Sequence, residues 1–330
     1  MNTADMLWQA ARSKKKGALP ILSFPAVQKM GITVRQLVNS SEYQAQAMKL
    51  VADEVPALAS VSLMDLSVEA QAFGADVHFA DDEVPNVTGQ LVDSRGAADA
   101  LRVPTVGEGR TGLCVEALRR AKRLITDRPV LAGVIGPFSL VGRLCDVTEI
   151  MYLCYDEPEM VQVLLDKATD FLVQYALAFR DAGVDGVMMA EPLAGLLSPD
   201  LNAEFSTPWV QRIVQAVQRD DFAVIYHNCG NAVNRMLPAI FSVGAAAYHF
   251  GNAVSMREIL DAAPRSALCM GNIDPAGYFA GGTPEGIAAA TRALMQSCGS
   301  APNFIPSSGC DIPPAAKWEN IHAFFAALAS

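Results

Sequence analysis

Phe222-Ala223-Val224-Ile225-Tyr226-His227-Asn228-Cys229-Gly230-Asn231 is an apolar, β-branched run that ends in a histidine and a cysteine two positions apart. On an extended strand, residues i and i+2 face the same way, so the His227 imidazole and the Cys229 thiol point into one space. A second short apolar run, 304–308, is followed by Gly309 and Cys310, 81 positions after Cys229. One nitrogen and two sulfurs suit Zn2+, and three protein ligands leave a fourth position open for a substrate. The same residues also read as a core histidine and buried thiols. The position of all three at strand ends favours a catalytic zinc.

Working outward, runs of this kind recur at 19–24, 58–66, 130–136, 185–190, 222–227, 245–249, 267–271 and 304–308. Segments of helical period separate them, the pattern of repeated βα units around a parallel sheet. The clearest helix opens at Asp156 and Pro158, carries Val161, Leu164, Leu165, Ala168, Phe171, Leu172, Tyr175 and Phe179 on one face, and stops at Gly183. Eight such units predict an α/β fold, a TIM (β/α)8 barrel spanning 1–330 as a single domain. Segment 67–129 is too long for one βα connection and predicts an elaboration between the second and third strands, with a small hairpin and a lid-like loop. In a TIM barrel the active site lies at the C-terminal ends of the strands, where His227, Cys229 and Cys310 all fall.

Composition narrows the function classes. Apolar residues make up 51% of the 330 and charged residues 18%, enough for a large continuous core. A net charge of −10 disfavours nucleic-acid binding, which depends on clustered Lys and Arg. No stretch reaches the ~18 to 20 uninterrupted apolar residues of a membrane span. The beginning of the chain lacks the basic start and apolar middle of a signal peptide, and a cytoplasmic location is expected. Seven irregularly spaced cysteines then read as reduced thiols.

Other strand-end residues are candidates with both functional and structural readings. Glu191, after the fourth run, either fills the fourth metal position, takes a proton from the substrate, or is a solvated loop acid. Asp65, at the end of the second run, and Glu69, just after it, line the mouth, or Glu69 only opens a helix. Asn272 and Asp274, in Gly271-Asn272-Ile273-Asp274-Pro275, present to a ligand or serve a turn. His78 and His249 lack a neighbouring ligand-type residue and read as structural, as does His322. The glycines of Gly107-Glu108-Gly109-Arg110-Thr111-Gly112 follow no strand and read as a loop.

Tyr226-His227-Asn228-Cys229-Gly230, Gly271-Asn272-Ile273-Asp274-Pro275 and Ser308-Gly309-Cys310-Asp311-Ile312-Pro313, in that order, resemble the uroporphyrinogen decarboxylase superfamily. Within it the chain is similar to the corrinoid-dependent branch typified by methylcobalamin:coenzyme M methyltransferases. Met64-Asp65-Leu66-Ser67-Val68-Glu69-Ala70 and Glu191-Pro192 extend the likeness over most of the chain. The resemblance implies zinc held by His227, Cys229 and Cys310, with a methyl group arriving on the cobalt of a corrinoid (methylcobalamin) carried by a small partner protein. The acceptor is then a small thiol such as coenzyme M, and the activity that of a methyltransferase. Homocysteine as acceptor, demethylation of a small substrate onto the corrinoid, and a non-catalytic zinc barrel are alternatives. Decarboxylation of a uroporphyrinogen fits less well. The arginine-rich motif of true decarboxylases is missing from 20–30, and their Gly-His-Gly is replaced by Gly309-Cys310-Asp311.

Overall fold

The computed structural model describes residues 2–329. Chain order gives β1 (Ser60–Val61), β2 (Asp76–His78), β3 (Asn86–Thr88), β4 (Val130–Ile135), β5 (Gly186–Ala190), β6 (Ala223–Asn228), β7 (Ala247–Phe250), β8 (Cys269–Ile273) and β9 (Phe304–Ser308). Seven of these form one curled parallel sheet in the order β1-β4-β5-β6-β7-β8-β9, while β2 and β3 pair antiparallel as a separate hairpin within segment 67–129. The expected runs from 130–136 onward become β4 to β9 with small shifts at their ends, and 58–66 keeps only the two residues of β1.

The run 19–24 corrects the expectation of eight strands: it forms none, and the sheet is a half-barrel of seven. Pro20 has no N–H to give to a ladder, and Pro25 ends the run. The segment nonetheless spans the gap between the edge strands. Leu19 N–H donates to Pro306 O of β9 (3.1 Å), and Leu58 N–H donates to Ala18 O (2.8 Å). Hydroxyls supply further bonds: Ile21 N–H donates to Ser308 Oγ (3.1 Å), Ser307 Oγ–H to Leu19 O (2.6 Å), and Ser23 Oγ–H to Val61 O (2.6 Å).

The two faces of each strand divide the core. Leu131, Met188, Ala190, Ile225, Ala247, Met270 and Ile305 join Leu19, Ile21 and Val61 in one buried cluster inside the curl. Leu7 and Ala11 of the helix Thr3–Arg12 belong to the same cluster. Alternate residues such as Val187, Met189, Val224, Tyr226 and Phe250 pack outward against the helices. Each large aliphatic side chain buried this way stabilises the fold by about 1.5–3 kcal/mol. The helix Pro158–Asp181 opens on proline and ends before Gly183, whose φ of +85° is the left-handed conformation that favours glycine. Among the described residues, no helix is long and apolar enough to cross a membrane.

Candidate metal centre

The inward alternation decides which side chains reach the C-terminal end of the sheet. Two residues beyond Ile225, Ala247 and Ile305 come His227, His249 and Ser307, all buried. Parallel register sets His227 opposite His249. Cys229 and Cys310 lie just past the ends of β6 and β9, in turns that need glycine beside them. A Cβ on Gly251 would fall 2.5 Å from Cys229 Cα, and one on Gly309 would fall 2.7 Å from Asn252 N.

His227, Cys229 and Cys310 come together as the sequence predicts, with one ligand atom from each lying within 4.8 Å of the others. His227 Nε2 is 3.5 Å from Cys310 Sγ. Zinc bond lengths of ~2.0–2.1 Å to nitrogen and ~2.3 Å to sulfur give a tetrahedral N···S edge of about 3.6 Å, so the donors present fit that ion. A hydrogen bond from the Cys310 thiol holds Cys229 below the ordinary thiol range. The same bond, together with burial, pushes Cys310 up to about 12. A divalent ion bound there would take both sulfurs as thiolates and release their protons.

The oxygen-bearing candidates are not part of this cluster. Glu191 is fully buried beside it, and its peptide N–H donates to His227 O (2.8 Å). Its carboxylate faces the N-terminus of the helix Pro137–Cys145, accepting from Phe138 N–H (2.8 Å), Ser139 N–H (3.1 Å) and Ser139 Oγ–H (2.8 Å). Burial raises the Glu191 pKa to about 7 against the pull of those bonds. Asn272 donates through Nδ2 to Gly251 O (2.9 Å) and Val254 O (2.7 Å), which fastens the loop packed on Cys229. Asp274 Oδ1 caps its own turn, accepting from Ala276 N–H (2.9 Å) and Gly277 N–H (3.0 Å).

A family model described as uroporphyrinogen decarboxylase (URO-D) matches residues 5–330. The chain belongs to the uroporphyrinogen decarboxylase family. It is 26% identical over 305 residues to the methylcobamide:CoM methyltransferase MtbA of Methanosarcina acetivorans, a match covering 88% of each chain. It is also 26% identical over 253 residues to the uroporphyrinogen decarboxylase of Xanthomonas axonopodis pv. citri, covering 73% of this chain and 70% of that one. A solved methyltransferase from Methanosarcina mazei shares the fold with a TM-score of 0.86 at 22% identity, covering 100% of this chain and 99% of the other.

Two residues of this family member lie where sequence spacing did not lead. Arg110, from the glycine-rich loop, is buried against Asp65: Nη1 meets Asp65 Oδ2 at 2.5 Å, Nη2 meets Ser67 Oγ at 2.7 Å, and Nε meets Gln71 Oε1 at 2.7 Å. Its guanidinium sits 4.8 Å from the centre of the Phe79 ring. Asp65 is therefore an ion-pair partner, and its other oxygen accepts from Ser67 N–H (3.1 Å) and Oγ–H (2.6 Å). The second is His249, expected to be isolated. Its Nδ1 lies 2.8 Å from His227 Nδ1 and its Nε2 lies 2.7 Å from Ser307 Oγ. The signal was present in the sequence as two consecutive apolar runs that each end in histidine. His78 and His322 stay remote: one is exposed on the hairpin, the other pairs with Glu54 at 3.3 Å.

Proposed function

We propose that this chain is a zinc-dependent methyltransferase that moves a methyl group from a methylated corrinoid, carried by a small partner protein, to a small thiol such as coenzyme M. The observation that carries the reading is the His227, Cys229 and Cys310 cluster at the C-terminal ends of β6 and β9. Zinc, when bound there, would lower the pKa of an acceptor thiol and keep its sulfur nucleophilic at neutral pH. Two cysteine ligands would offset the charge of the ion, and a set of three protein donors among the described residues leaves room for the acceptor. Glu191, just past the end of β5 beside β6 and with its pKa raised to about 7, takes up the released proton. Asn272 and Asp274, whose Nδ2 and Oδ1 fasten the adjoining loops, help to bind the acceptor.

Identity to a methyltransferase and to a decarboxylase is the same, so the site has to discriminate between them. A decarboxylase for a polycarboxylate needs free cationic groups at the mouth. Residues 20–30 contain no arginine, and Arg110 is spent on Asp65, Ser67 and Gln71. Sulfur donors favour thiol chemistry instead. The test mixes zinc-loaded protein with methylcobalamin and coenzyme M or homocysteine, and follows the methyl–cobalt absorbance. Discharge with coenzyme M supports the reading. Methylcobalamin left intact with every thiol, beside carbon dioxide release from uroporphyrinogen, overturns it.

A further inference from the structure

The hydrogen bonds behind His227 have only one consistent set of proton positions. Ser307 Oγ–H donates to Leu19 O at 2.6 Å, so Ser307 meets His249 as an acceptor and His249 Nε2 carries the hydrogen of their 2.7 Å bond. Between His249 Nδ1 and His227 Nδ1, 2.8 Å apart, there is room for one hydrogen. It belongs to His227, because the carbonyl oxygen of His249 also faces His227 Nδ1, at 3.3 Å, and two acceptors surrounding that atom call for a donor there. His227 Nε2, 3.5 Å from Cys310 Sγ, is then left with its lone pair aimed into the cluster.

We propose that His249 is a positioning residue: the relay Leu19 O, Ser307 Oγ, His249 and His227 fixes His227 as its Nδ1–H tautomer, ready to ligate through Nε2 before any metal arrives. This deepens the metal-centre reading and rests on it for its purpose, though not for its proton positions. Every member is buried, so water does not compete for these bonds. Partners of this type orient a ligating imidazole and raise its basicity, and their loss costs about 10–100-fold in metal affinity. His249 contributes an acceptor at Nδ1 and a donor at Nε2. An asparagine in its place keeps an oxygen near the Nδ1 position, while phenylalanine keeps the ring shape and removes both functions.

The experiment records long-range 1H–15N correlations of the imidazoles in metal-free, full-length protein labelled at histidine. The expected result is His227 as the Nδ1–H tautomer and His249 as the Nε2–H tautomer. An Nε2–H tautomer at His227 overturns the relay whatever the protein binds. Zinc affinity, measured by chelator competition, should fall about 10–100-fold in His249→Phe and recover most of that loss in His249→Asn. Ser307→Ala, a milder change, should release His249 from its single tautomer in the same spectra. Wild-type zinc affinity in His249→Phe with the His227 tautomer unchanged refutes the proposal. Wild-type protein that binds no zinc defeats the metal-centre reading separately, because the tautomers are read without metal.

Discussion

Beyond β6 and β9, nitrogen and sulfur face one another; beyond β1, a carboxylate faces a guanidinium. Both clusters gather residues distant in sequence, yet their bonding differs. Asp65 and Arg110 satisfy each other, with Ser67 and Gln71 filling the remaining positions. The donor atoms of His227, Cys229 and Cys310 instead face one another, within 4.8 Å. The oxygen cluster is internally paired, whereas the nitrogen and sulfur cluster is the one proposed to take a metal. Both lie near strand ends, so position alone does not separate a site from a brace; the occupancy of each polar atom does.

The largest expected effect comes from removing a sulfur. Cys310→Ala should reduce zinc from about one per chain by at least about tenfold, read by elemental analysis, with the circular dichroism of the fold preserved. Full retention of zinc would take Cys310 out of the site and dissolve the contrast. In the other cluster, Arg110→Met leaves Asp65 as an unpaired buried charge and should cost about 3–5 kcal/mol in denaturant unfolding, with zinc content unchanged. Zinc lost together with stability would mean that the two clusters are one unit.

The smallest effect depends on pH. Glu69 Oε1 accepts from Ile135 N–H at 3.0 Å, while Oε2 is buried without a partner. Burial raises the Glu69 pKa from 4.5 to about 7. The native state then keeps a proton that the unfolded chain has released, so this group's contribution to stability falls as pH rises between those two values. Glu69→Gln should flatten that fall, worth up to about 3 kcal/mol at its upper end. The same slope in both proteins, from unfolding curves at a series of pH values, would assign the titration to another group.

Much of the sheet and the convergence of His227, Cys229 and Cys310 were legible in the sequence because β-branched runs and strand-end His and Cys residues are local signals. The first expected strand failed for a local reason as well. Leu19 and Ile21 do face the inner core, but Pro20 and the hydroxyl bonds from Ser307 and Ser308 replace a regular ladder, and an apolar run cannot report which atoms its hydrogen bonds use. His249 was passed over because its partner lies 22 residues away in sequence and becomes a neighbour only through parallel register. Arg110 was hidden by its glycines, since its partner Asp65 lies 45 positions earlier. Glu191, Asn272 and Asp274 were noticed at the right ends of strands, but periodicity says nothing of whether a carboxylate or amide is already hydrogen-bonded.

The bond from Ser307 Oγ to Leu19 O joins residues 288 positions apart, and it carries both the closure of the sheet gap and the last link of the imidazole chain. During synthesis Leu19 emerges long before its partner, so this contact forms only after nearly the whole chain is available. Cys310 arrives later still. On the proposed reading, metal loading would be tied to chain completion: a polypeptide that stops short of Cys310 lacks one of the three donors.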